Sequence, residues 1–314
     1  MLKKSLWALL TLLVVLAAVV AINTARKGSR QLQVAPLAPV AVDATAVAAR
    51  LAEAVRLQTL SSRDDAQLSA DQFKALHALL QARFPRVHAA LQREVVGDLS
   101  LLYTWKGADP QARPIMLMAH QDVVPVAPGT EGDWEVPPFA GEVKDGFIWG
   151  RGSWDDKGNL LSQMEAVEML LASGYQPPRT IYLACGADEE VGGARGAQQI
   201  AALLQQRGVR LAFVLDEGLL VLEGLMPGIA KPTALIGVAE KGYMSVVLKV
   251  SATPGHSSMP PPKGTSAIAT MSAALARMED KQLPAGIRGV AFEMFDTLAP
   301  EMSGFARVAL SNLW

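Results

Sequence analysis

The sequence predicts an α/β protein, a three-layer sandwich in which a mostly parallel sheet lies between helices. Three observations carry that expectation. Short apolar runs, "PIMLMAH", "TIYLACG" and "LAFVLDE", alternate with longer amphipathic segments such as "KGNLLSQMEAVEMLLASG" and "GGARGAQQIAALLQQRG". This is how strands read when helices bury them on both faces. Each apolar run also ends in groups that can do chemistry: His120 with Asp122 after the first, Asp188, Glu189 and Glu190 after the second, Asp216 and Glu217 at the third. Ligands of open α/β sheets bind beyond the carboxyl ends of strands. Finally, the glycine-rich turn "WGRGSWDDKG" sets Asp155 and Asp156 just before a helix.

The chain opens on "SLWALLTLLVVLAAVVAIN", an uncharged stretch with Lys3 and Lys4 before it and Arg26, Lys27 and Arg30 after it. A bilayer span needs about 20 apolar residues. The stretch exceeds the apolar region of a cleaved signal peptide, about 7–15 residues, and no clean A-x-A site follows. Residues 1–26 are therefore read as a signal anchor that exports the rest to the periplasmic, extracellular or lumenal side. A cleaved segment would leave a secreted protein. Basic residues flank both ends, so orientation stays open. Residues 27–44, with two prolines and no helical stripe, read as a linker.

From Ala44 two helices are expected, "ATAVAARLAEAVRLQTL" and "SADQFKALHALLQARFP". The second opens with Ser69 and Gln72 at capping-box spacing. His77 and His88, each without a metal-type partner nearby in sequence, read as packing or surface histidines. The strands and helices named above follow. From about Glu240, "GYMSVVLKVSA" reads as a strand and "GTSAIATMSAALARMED" as a helix. Half the chain is hydrophobic and the formal charge is -1, with no long Lys/Arg run, so nucleic acid is excluded as a partner. Cys185 is the one cysteine. No intramolecular disulfide can form, and a small buried residue at a strand end is expected.

Crowded carboxylates raise one another's pKa unless they are solvated or something positive sits among them. A solvated acidic loop is one reading of "ACGADEEVGG". One imidazole and several carboxylates on a common rim are the other: mixed N/O ligands suit zinc, with manganese or cobalt as alternatives. Asp155, Glu190 and Asp216 with one hydroxide would carry four negative charges, which two divalent cations balance.

In "MAHQDVVPV", "WGRGSWDDKG", "GADEEVGG", "LDEG" and "PGHSSMPP" the chain resembles the co-catalytic di-zinc metallopeptidases that include carboxypeptidase S, N-acyl amino acid hydrolases, glutamate carboxypeptidase and aminoacylase. The carboxypeptidase S and N-acyl amino acid hydrolase branch looks most similar. The resemblance implies that His120 and Asp216 bind one zinc, that Asp155 bridges two, and that Glu190 binds the second. Asp122 would orient His120, Glu189 would be the general base, and the Asp155–Asp156 peptide would be cis. His256 would steady the oxyanion from an α+β lid or dimerisation domain that is incomplete here, so a homodimer through the lid is implied. The implied domains are a catalytic domain over 45–239 and the lid over 240–314. The implied reaction is hydrolysis of an amide bond in an N-acyl amino acid or small peptide, by a hydroxide held between the metals.

The family requires one further zinc-binding histidine after the lid. The four histidines of this chain are all accounted for. The chain is therefore expected to be a fragment of a longer hydrolase. The alternatives are a truncated, inactive product and a shortened protein that binds metal and ligand without turnover.

Overall fold

The computed structural model describes residues 2–226 and 228–314. Two compact units emerge, one of residues 37–218, the other of residues 1–36 with 219–314. Helix α1 (Leu2–Arg26) belongs to the second.

The 37–218 unit begins with α2 (Ala44–Val55), whose start is fixed by the Asp43 carboxylate accepting the Ala46 N–H at 3.0 Å. Helices α3 (Ala70–Arg83) and α4 (Pro85–Ala90) follow, separated where Pro85 ends one helix and opens the next. The expected capping box at Ser69 does not form. Ser69 makes no side-chain cap, and the Gln72 Oε1 instead accepts the N–H of Gln58, 3.0 Å away. Gln72 is drawn to a backbone donor in the chain leaving α2.

Strands β1 (Gln92–Val96) and β2 (Ser100–Trp105) form a hairpin around Gly97 and Asp98, both at positive φ. A side chain at Gly97 would collide with the Arg195 carbonyl, which only glycine avoids. Next come β3 (Ile115–His120), a second small hairpin of β4 (Glu142–Lys144) and β5 (Phe147–Trp149), and α5 (Lys157–Ala172). Strand β6 (Ile181–Gly186), α6 (Ala197–Gln206) and β7 (Val214–Leu215) complete the unit.

The five-stranded sheet has the order β1-β2-β6-β3-β7. Strand β2 runs antiparallel to both neighbours, while β3 is parallel to β6 and to β7. Four strands thus point one way, as expected, and β2 is reversed. Side chains alternate between the faces, so one strand feeds two cores. Leu101, Tyr103, Trp105, Leu183 and Cys185 meet α2, α3, α4 and α5 on one face. Leu102, Met116 and Ala184 meet Ile200 and Leu204 of α6 on the other. Cys185 is fully buried, and burial pushes its thiol up to about 12. The expected strand "LAFVLDE" contracts to the two residues of β7, an exposed edge paired only to β3.

In the other unit α1 is long and apolar enough to cross a membrane. Strands β8 (Val221–Leu222) and β9 (Thr233–Ala234) form a short hairpin, followed by α7 (Ala267–Asp280), α8 (Val290–Leu298) and α9 (Gly304–Leu310). The helix expected in "GTSAIATMSAALARMED" is α7, capped by the Ser266 Oγ accepting the Ala269 N–H at 3.1 Å. The strand expected in "GYMSVVLKVSA" is absent: residues 242–252 form no element, and Tyr243, Met244 and Val247 are exposed. Among the described residues no strand pairs with this segment, and an unpaired strand does not persist in water.

Candidate metal centre

Three parallel strands and one turn deliver acids to a common rim. β3 ends in His120, which is buried at 3% exposure. β6 runs through Asp188 into a single 3-10 turn that carries Glu189 and Glu190. β7 is followed by Asp216 and Glu217, and Asp155 and Asp156 precede α5. The Asp155–Asp156 peptide is cis, as the resemblance implied.

The His120 Nε2 lies 2.8 Å from an Asp155 oxygen, 3.5 Å from Glu217 and 3.9 Å from Glu189. On its other side Nδ1 faces the Asp122 backbone oxygen at 2.9 Å and its carboxylate at 3.3 Å. If Nδ1 carries the ring proton, Asp122 receives it and Nε2 is left as the lone-pair donor aimed at the acids. Asp122, wholly buried, also accepts the backbone N–H of Glu189 and of Glu190, at 3.1 Å each. One carboxylate therefore ties the β3 end to the β6 turn. Asp156 is buried and accepts the His120 backbone N–H at 3.0 Å.

Two triads converge well enough to hold an ion: His120, Asp155 and Glu190, and His120, Asp156 and Glu217, each with ligand atoms within 4.8 Å of one another. The structure thus brings His120, Asp155, Glu189 and Glu190 together. Asp216 stands in neither triad; its Oδ1 accepts the N–H of Glu217, at 3.0 Å, and Glu217 takes the place beside His120. β7 is two residues long and lies on an exposed edge, so the strand leading to both acids pairs with β3 alone. Asp156 and Glu217 were expected on the rim but given no metal-binding part, and the structure sets both within reach of His120. His256 lies in the other unit, exposed, its Nδ1 2.7 Å from the Ser258 hydroxyl. His77 and His88 pack as expected, His77 on Gln121 and His88 edge-on against Tyr103.

The electrostatics fit a cation. Burial would lower the His120 pKa, but the hydrogen bond and charge of Asp122, with Glu217 and Asp156, drive it up to about 10. Burial and then neighbouring acids raise Glu217 to about 7, and burial above all raises Asp156 to about 6. Glu189 and Glu190 are raised for the same two reasons. For Asp122, burial acts upward, but the His120 hydrogen bond and charge and the Glu190 N–H outweigh it, so its carboxyl stays below the usual range. An imidazole pressed to take a proton among acids pressed to keep theirs marks a site short of positive charge. Lys157 does not supply it: its buried Nζ donates away from the acids, to the backbone oxygens of Ala54, at 3.1 Å, and Leu57. One nitrogen and several carboxylate oxygens suit a divalent metal of the zinc, manganese or cobalt type.

Comparison with known proteins agrees with the motifs. The N-fatty-acyl-amino acid synthase/hydrolase of Mus musculus is 48% identical over 238 residues, 75% of this chain and 46% of that protein. The probable carboxypeptidase S-like 2 of Dictyostelium discoideum is 37% identical over 313 residues, 96% of this chain and 59% of that protein. Carboxypeptidase S of Saccharomyces cerevisiae is 39% identical over 235 residues, 70% of this chain and 39% of that protein. The chain thus spans about half the length of the relatives it matches, which carry the names of the branch that the motifs resemble. The model of peptidase family M20/M25/M40 matches residues 116–306, from β3 into α9 and through every acid of the rim, and the chain belongs to that family.

Proposed function

We propose that this chain carries the metal-binding half of a hydrolase that cleaves the amide bond of an N-acyl amino acid or releases a C-terminal residue from a small peptide. The observation that carries the reading is the convergence of His120, Asp155 and Glu190 on one point, with Glu189 beside them. The names of the relatives, a carboxypeptidase S and an N-fatty-acyl-amino acid hydrolase, support the substrate class.

His120 and Asp155, with Asp216 or Glu217, would hold one divalent cation, and Asp155 and Glu190 a second. A bound divalent cation polarises an amide carbonyl and lowers the pKa of water. Glu189 is the general base: its carboxylate takes a proton from the attacking water and returns it to the departing nitrogen. Burial and the neighbouring acids raise its pKa, which makes it a better proton acceptor than an ordinary carboxylate. Asp122 holds the backbone of Glu189 and Glu190 and the ring of His120 in one frame. His256 is the proposed oxyanion donor, and α1 the anchor of an exported enzyme.

Glu189→Gln should retain metal while turnover falls by roughly 10²–10⁴-fold, the usual worth of a general base. Full activity in that variant, with metal content unchanged, would sink the assignment. A second reading, a protein that binds metal and ligand without turnover, is favoured by the sharing of His120 between both triads. It expects one zinc per chain and ligand binding indifferent to Glu189→Gln.

A further inference from the structure

Between His120 and Asp122 stands Gln121, a residue to which the reading above gives no part. It is wholly buried. In extended backbone, successive side chains point to opposite sides, so a residue between two site groups turns into the protein. There the Gln121 Nε2 donates to the backbone oxygen of Leu99, at 3.0 Å, and to that of Cys185, at 2.9 Å. Its Oε1 is 2.8 Å from the His77 Nε2. Its own N–H donates to the Gly186 oxygen at 2.7 Å, and its carbonyl accepts the Thr59 hydroxyl, also at 2.7 Å.

These contacts allow one orientation. Flipping the amide would aim Oε1 at two carbonyl oxygens, three acceptors with no proton among them. Nε2 therefore faces the carbonyls, and His77 must carry its proton on Nε2 to donate to Oε1. Burial lowers the His77 pKa, which favours the neutral ring, and the contact with Oε1 selects its Nε2–H tautomer. Every polar atom of Gln121 has a partner, drawn from α3, from the loop before β2, from β6 and from the chain after α2.

The consequence concerns spacing. The Gly186 and Cys185 carbonyls that Gln121 holds belong to the strand end from which Glu189 and Glu190 extend. Asp122, the next residue, receives the N–H groups of those two acids. We infer that Gln121, locked by His77, is a positioning residue that sets the distance between His120 and the Glu189–Glu190 turn. Its role toward metal rests on the proposed metal centre; its role in fixing the turn does not.

The test is amide hydrogen exchange on the metal-free full chain, with cobalt(II) titration of the same samples. Gln121→Met keeps the volume and removes every side-chain hydrogen bond. It should speed exchange at the Glu189 and Glu190 amides roughly tenfold or more while amides within α5 keep their protection. Cobalt affinity should fall by roughly 10–100-fold, with an altered visible absorption band. His77→Ala, which removes one bond from a partly exposed ring, should shift the same two amides by a smaller factor and serves alone if the first variant does not fold. Unchanged exchange at Glu189 and Glu190 in whichever variant folds, or a uniform rise through α5 as well, overturns the inference. If the unaltered chain binds no cobalt, the metal reading fails, and the exchange result still decides the role of Gln121.

Discussion

Strand β6 and the segment 242–252 are comparable as text, each a short run rich in apolar residues, and they end differently. β6 lies between β2 and β3 and is paired along its whole length, with Leu183 and Cys185 buried on one face and Ala184 on the other. Residues 242–252 have no partner strand among the described residues, and Val247 is 76% exposed. Strand character is therefore a property of neighbours more than of composition: what a β scale measures is packing against a cross-strand partner.

The sharpest way to break that comparison is to truncate one side chain in each place. Leu183→Ala removes a wholly buried side chain from the middle of the sheet, and the cavity it leaves should cost about 2–5 kcal/mol. Val247→Ala should stay within about 0.5 kcal/mol, as exposed substitutions do. Urea titrations of both variants, monitored by far-UV circular dichroism, read the two effects. A loss at Val247 as large as that at Leu183 would mean that segment 242–252 is buried in solution, and the contrast would vanish.

The second test turns on charge, which separates His120 from the other histidines of its own unit. His120 is raised to about 10, so in the metal-free chain its stabilising proton is fully present below its ordinary 6.5 and is lost as pH rises through about 10. His77 and His88 are lowered, burial being the main cause, so their contribution is present above 6.5 and is lost as pH falls through their depressed values. A metal must displace the proton on His120, and near neutrality one on Glu217. Zinc affinity should therefore rise by about tenfold per pH unit from about pH 7 to about pH 10, where His120 alone still holds its proton, and more steeply below about pH 7, where Glu217 holds one too. Calorimetry at pH 7.5 in two buffers of different ionisation enthalpy should detect the released protons. Binding without proton release would show that the metal does not use His120.

How much of this was legible in the sequence follows the same division. β3, β6, α5, α6 and α7 could be read because each is an apolar run or stripe bounded by its own punctuation. The hairpins β1–β2 and β4–β5 went unread although Gly97–Asp98 and Asp145–Gly146, all at positive φ, are turn signals of the expected kind. That His120, Asp155, Glu189 and Glu190 would meet on one rim was legible, because each lies at or just beyond the end of a strand or turn. That Glu217 rather than Asp216 lies beside His120 was not, since both follow a two-residue edge strand. Gln121 was not either, because its partners lie far apart in sequence, at His77, Leu99 and Cys185, and only the fold assembles them.

The smallest test asks what survives when neighbours are removed from consideration, since a helix cap needs none. Asp43 caps α2 and Ser266 caps α7, each with a side-chain oxygen accepting the N–H three residues on, at 3.0 and 3.1 Å. As local interactions the two should cost about the same to remove, about 1 kcal/mol. Their readouts should differ. α2 buries Ala52, Ala54 and Val55 in the core of its unit, so Asp43→Ala should lower the urea midpoint of that unit. α7 has no buried residue, so Ser266→Ala should leave every midpoint unchanged and appear only as faster hydrogen exchange in the first turn of α7. Ser69→Ala, at a position where the text promised a cap and the fold makes none, should be silent in both measurements. A midpoint shift in Ser266→Ala would mean that α7 is packed after all, and that the poverty of neighbours seen at 242–252 does not extend to the helix that follows it.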